Sequence, residues 1–76
     1  MIEVEIVNKI AEKIEEYQNR TGATKTWIAK QMDLSNSRLY ELINARVLRI
    51  DTLVKVAFVL QCEVSDLYEY KVTRKD

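Results

Sequence analysis

The stretch TKTWIAKQMDLSNSRLYELIN, residues 24–44, decides the fold. It opens on Thr24, whose hydroxyl can accept from the free amides of a helix's first turn. Ile28, Ala29 and Met32 follow at the three-and-four spacing of a buried helix face. This predicts a short helix over about Lys25 to Met32. Asp33 stands where the chain must turn, and Asp takes left-handed dihedrals more readily than most side chains, though less readily than Gly. Leu34 points back to the core and Ser35 supplies a second cap. Leu39, Leu42 and Ile43 then line another helix that ends near Asn44. Two short helices crossed over a tight turn make a helix-turn-helix arrangement with its core at 24–44.

Working outward, Ile6, Val7, Ile10, Ala11, Ile14 and Tyr17 form one helical stripe, so a first helix is expected from Ile6 to about Arg20, stopped by Thr21-Gly22. Ile2, Val4 and Ile6 also alternate with Glu3 and Glu5, which leaves a short strand ahead of that helix open. Downstream of Ala45 to Arg49, Leu53, Val56, Ala57 and Leu60 predict a helix from about Ile50 to Gln61, with Asp51 the available cap. Ser65 is placed to cap a last short helix through Asp66-Leu67-Tyr68, and the alternation of Tyr68, Tyr70 and Val72 fits a strand from about Tyr70. The expected fold is therefore all-α, with five helices and the option of short terminal strands. Those strands could pair with each other or across a dimer.

Seventy-six residues build one small core, so residues 1–76 read as a single domain. Apolar residues make up 47% of the chain and no segment is repetitive, which excludes a disordered class; zero Pro and a single Gly remove the usual hairpin markers. One cysteine and no histidine leave no disulfide pair and no zinc-ligand cluster. Neither metal nor cofactor is expected, and a reducing, cytoplasmic setting fits. No apolar run approaches the roughly 20 residues of a spanning helix, so no membrane role is expected. Without histidine, a Gly-rich phosphate loop or paired carboxylates in a cleft, catalysis is not expected either. Cys62, beside Leu60 and Val64, reads as a packing residue rather than a redox one. Trp27, in a first helical turn, reads as a cover for a neighbouring helix rather than a ligand platform.

The formal net charge is zero, yet it is unevenly spread. Residues 1–22 sum to −2 and residues 51–76 to −1, whereas residues 23–50 carry Lys25, Lys30, Arg38, Arg46 and Arg49 against Asp33 and Glu41, a net +3. That basic third holds the helix-turn-helix. The second helix keeps Asn36, Ser37, Tyr40, Glu41 and Asn44 on its outer side, a row of hydrogen-bonding groups suited to reading base edges in a major groove.

From Ala23 to Tyr70 the chain resembles the Xre family, the Cro and phage-repressor type of helix-turn-helix. The matching elements are Thr24-Lys25, Ile28-Ala29, Met32-Asp33, Ser35, Asn44-Ala45 and Ile50-Asp51-Thr52-Leu53. The resemblance implies a lambda-repressor-like domain on double-stranded DNA, with Asn36, Ser37 and Glu41 at base-reading positions. It places Lys25 and Asn44, together with the caps Thr24 and Ser35, near phosphates. Arg46 matches a backbone-contacting basic position, and Arg49 could follow a strand or enter a minor groove. Asp33 and Ala45 replace glycines of the family pattern, so strain or reshaping is expected at both turns. Lys25 replaces a Gln that orders the base-reading residues.

Chemistry assigns the individual contacts: Asn36 to adenine, Arg38 to guanine and Glu41 to cytosine N4. Arg38 could instead pair with Glu41 three residues on. Tyr40 belongs with the base-facing group and its hydroxyl could reach a phosphate; half-burial is the alternative. The expected function is a transcriptional regulator, a repressor on a palindromic operator as a homodimer. Its control would come from concentration, a regulatory protein partner or a dimerising tail at Tyr68 to Arg74. The alternative is a helix-turn-helix scaffold used for protein–protein interaction without DNA binding.

Overall fold

A computed structural model describes residues 1–75. The elements run β1 (Ile2–Asn8), α1 (Ile10–Thr21), α2 (Lys25–Gln31), α3 (Asn36–Ile43), α4 (Ile50–Leu60), a 3-10 turn (Val64–Asp66) and β2 (Tyr68–Arg74). Among the described residues the fold is thus a mostly helical helix-turn-helix with four α-helices and a two-stranded antiparallel sheet. The all-α, five-helix expectation is corrected in two places.

At the first, the helix expected from Ile6 begins only at Ile10. Ile6 and Val7 belong to β1, because β2 offers a full ladder running from Ile2 opposite Arg74 to Asn8 opposite Tyr68. The apolar spacing around Ile6 satisfied both periods, and the strand partner decided between them. At the second, the last helix is a single 3-10 turn. Ser65 lies inside it; the cap is Glu63, whose amide donates to the Asp66 carboxylate (3.0 Å) in a reciprocal capping box. Leu67 is fully buried and Tyr68 already pairs with β1, so no room remains for a further helical turn.

The core is one cluster: Ile10, Ile14 and Tyr17 of α1, Ile28 and Ala29 of α2 with Met32 after it, Leu39 of α3, four residues of α4, and Leu67. No charged or polar side chain is buried among the described residues. Trp27 stacks on Tyr17 with ring centroids 6.5 Å apart and planes 11° from parallel, the helix-covering role expected of it. Cys62 packs against the core as expected. Burial, and then the Asp66 charge, push its thiol above the ordinary value.

The turn between α2 and α3 shows how Asp33 stands in for glycine. Its φ is +57°, the Leu34 amide reaches back to the Ala29 carbonyl (2.8 Å), and the Asp33 amide to that of Lys30 (3.1 Å), which together form a Schellman motif. The expected left-handed strain is present there. At Ala45 it is absent: among the described residues only Asp33 and Gln61 are non-glycine residues with positive φ. Gln61 ends α4 with the same backbone, and the Cys62 amide bonds to the Ala57 carbonyl at 3.0 Å. A left-handed Cβ costs about 1–2 kcal/mol in general and less for Asp. Gln61→Gly should therefore raise unfolding stability by about 0.5–1 kcal/mol after the added chain entropy of Gly, and Asp33→Gly by less. Urea midpoints read this directly, and an unmoved midpoint for Gln61→Gly would show that the backbone there is unstrained.

α4 starts at Arg49 without a side-chain cap. Asp51 sits in the first turn rather than at the cap, and its carboxylate accepts from the Thr52 amide (3.0 Å) beside the positive end of the helix dipole. The ribbon of β1 and β2 extends from the helical body: the radius of gyration is 13.6 Å and the longest dimension 48 Å, against about 11 Å for the radius of a compact chain of this length.

Candidate nucleic-acid interface

α3 is positioned from both ends. At its start, the Ser35 hydroxyl accepts from the Arg38 amide (3.2 Å), as the Thr24 hydroxyl does from the Trp27 amide at the start of α2 (3.1 Å). Each hydroxyl keeps its own proton to donate, so capping and a phosphate contact are compatible at both residues. At the far end, Asn44 Nδ2 donates to the Tyr40 carbonyl (2.9 Å), which leaves one amide proton of Asn44 for a phosphate.

The decisive support at that end comes from a residue the sequence did not single out. Asn8, the last residue of β1, donates from Nδ2 to the carbonyls of Leu42 (2.9 Å) and Ala45 (3.0 Å), while its Oδ1 accepts from the Ile10 amide (2.9 Å). One amide thus closes the end of α3 and the beginning of α1. The end of α3 closes without a left-handed turn at Ala45: the Asn44 and Ala45 amides reach the Glu41 (3.3 Å) and Leu42 (3.2 Å) carbonyls, and Asn8 adds a donor to Leu42 from across the fold. An Asn two residues before a helix was the available signal, and its long-range partners were not.

Along α3, successive side chains turn by about 100°. With Leu39 buried and Leu42 and Ile43 half-buried, Ser37, Glu41 and Asn44 form the outermost line. Asn36 and Tyr40 lie toward α2, where they share a cleft of 230 Å³ with Lys25 and Thr26. Arg38 lies on the opposite flank, away from Asn36. No ion pair or hydrogen bond joins its side chain to Glu41 among the described residues, so of the two readings of Arg38 the internal pair is not formed. Tyr40 is 68% exposed rather than half-buried.

Asn36 Nδ2 faces Thr26 Oγ1 at 3.4 Å, a long contact that orients the amide without committing it. Lys25, Arg46 and Arg49 are all exposed, but Arg49 forms an ion pair with Asp51 (3.2 Å) that offsets its charge toward a phosphate. Arg46 and Lys25 have no such partner among the described residues. The sequence-predicted residues therefore divide into an exposed group along α3 (Asn36, Ser37, Tyr40, Glu41), Arg38 on its opposite flank, and a group at helix ends and the following loop.

A family model described as a Cro/C1-type HTH DNA-binding domain matches residues 13–72. The chain belongs to that family. The match runs from within α1 into β2 and takes in both helices of the helix-turn-helix. This bears out the resemblance drawn from the segment Ala23 to Tyr70. No curated protein and no solved structure matches significantly. Among the described residues of this Cro/C1-type domain, no cluster of three His, Cys, Asp or Glu could hold a metal ion, and no helix is long and apolar enough to cross a membrane.

Proposed function

We propose that the chain is a sequence-specific double-stranded-DNA-binding transcriptional regulator, a repressor that occupies a palindromic operator as a homodimer. The observation that carries this reading is the outer face of α3. Asn36, Ser37, Glu41 and Asn44 are exposed together on a helix whose two ends are both fixed, within the only third of the chain that is net positive. In this role α3 enters the major groove, Asn36 reads adenine and Glu41 accepts from cytosine N4. Arg38, on the flank, reads guanine only if its side chain turns inward. Thr24, Lys25, Ser35, Asn44 and Arg46 hold the backbone, with Arg49 contributing less because Asp51 accompanies it.

Binding to duplex DNA measured as a function of salt tests this. Log affinity should fall linearly with log salt, with a slope of about −0.9 per phosphate contacted. Arg46→Ala should weaken all sequences alike and reduce that slope by about one contact; a base-selective loss would remove Arg46 from the backbone group. The overall neutral charge is the observation that favours the other reading, a scaffold for protein–protein interaction. Absence of duplex binding even at low salt would turn the assignment to it.

A further inference from the structure

We infer that the β1–β2 ribbon is the dimerisation surface: its apolar face packs against the same face of a second copy of this chain. The inference deepens the proposed homodimer and rests on that reading.

The ladder places Ile2, Val4, Ile6, Tyr68, Tyr70 and Val72 on one side of the ribbon, because Val4 lies opposite Val72 and Ile6 opposite Tyr70. The other side carries Glu3, Glu5, Val7, Glu69, Lys71 and Thr73. Beyond Ile6 and Tyr68, which lean on the helical body, no described residue covers the apolar side: Ile2 is 62% exposed, Val4 60%, Tyr70 66% and Val72 55%. A two-stranded ribbon is marginal by itself in water and gains stability when a face is packed.

At its base the face runs into α4. Ile6 and Tyr68 line a 210 Å³ hollow together with Leu48, Ile50 and Leu53, and Ile50 and Val54 continue the exposed apolar surface along the helix. With a Tyr alone offering about 150–250 Å², the ribbon face plus Ile50 and Val54 amounts to on the order of 700 Å². This exceeds the roughly 300–600 Å² of the largest apolar patch on a typical monomer and approaches the roughly 800 Å² that each partner of a stable complex covers.

Three features select a second copy as the occupant. The surface holds both projecting side chains, Val4 and Val72, and a hollow, as the self-complementary patch of a two-fold interface must. It carries no charge between Ile50 and Val72 that would select a partner of opposite sign, Arg74 standing only at its tip. The reverse side of the ribbon is net acidic, so two copies approaching by that side would repel one another.

Sedimentation equilibrium of the whole chain, without DNA, tests the inference. The wild type should dimerise at micromolar concentration. Val4→Glu with Val72→Glu should weaken association by on the order of 100-fold with an unchanged circular dichroism spectrum. Glu5→Lys with Lys71→Glu, on the other side, should leave the dimer intact. A wild type that is monomeric at several hundred micromolar, or a dimer that the two glutamates do not weaken, overturns it. Should the glutamate variant fail to fold, methyl spectra of the wild type across concentration decide. Shifts at Val4, Ile50 and Val72 with Val7 unmoved uphold the surface, and shifts confined elsewhere refute it. Because no DNA is present, a ribbon-mediated dimer that binds no duplex would end the operator reading and leave this surface standing.

Discussion

Asn36→Ala combined with Ser37→Ala should cost about 2–4 kcal/mol of affinity for the preferred operator and leave non-operator binding and the unfolding transition almost unchanged. A good bidentate base contact is worth about 1–3 kcal/mol of discrimination, and the hydroxyl contact adds a smaller amount. Both side chains are exposed, neither caps α3, and the cap itself, Ser35, is untouched, so folding has little to lose. The long Asn36–Thr26 contact sharpens the expectation. Thr26→Val removes that tether without touching DNA and should lower discrimination by less than Asn36→Ala does. Competition of labelled operator against variant duplexes, base by base, measures all three. Unchanged preference in the double variant would take both residues out of the base-reading group.

Asn8→Ala should destabilise the fold by about 2–3 kcal/mol, because three hydrogen bonds go at once: the Ile10 amide and the Ala45 carbonyl lose their partner in a half-buried setting, and the Leu42 carbonyl keeps only the Ala45 amide. Part of that loss should also appear as a uniform weakening of DNA binding, since the far end of α3 is released. Asn8→Asp separates this clamp from ordinary helix capping. At a simple cap Asp serves about as well as Asn; here it keeps the acceptor for Ile10 and sets a carboxylate against two carbonyl oxygens. It should therefore unfold at least as easily as the alanine variant. Denaturant unfolding of both gives the answer, and an Asn8→Asp variant as stable as wild type would reduce Asn8 to a local cap.

These two sites also mark what was legible in the sequence. The exposure of Asn36 and Ser37 was legible because a cap, a turn and an apolar stripe fix α3 locally, and the polar positions left over face outward. The clamp at Asn8 was not, since its partners lie 34 and 37 residues away and only the closed fold brings them together. The same distinction explains the rest. Both turns around α3 were legible as glycine replacements, but only the closed fold shows which is left-handed: Asp33, with φ +57°, and not Ala45. Ile6 satisfied a helical and an alternating pattern alike, Val7 only the helical one, and the choice fell to β2, at the other end of the chain. Ser65 looked like a cap because Ser usually is one, yet the Glu63–Asp66 box took that place and pairing of Tyr68 with Asn8 ended the turn. Arg49 shows the limit for charges: its sign was readable and its pairing with Asp51 was not.

Selection of bound sequences from random duplex DNA tests the central claim most directly. The expected result is an enriched two-fold symmetric site whose half-sites are centred about 10–10.5 base pairs apart, one helical turn, as two recognition helices related by a dimer axis require. Enrichment of no sequence at low salt, from protein that is folded, would contradict it.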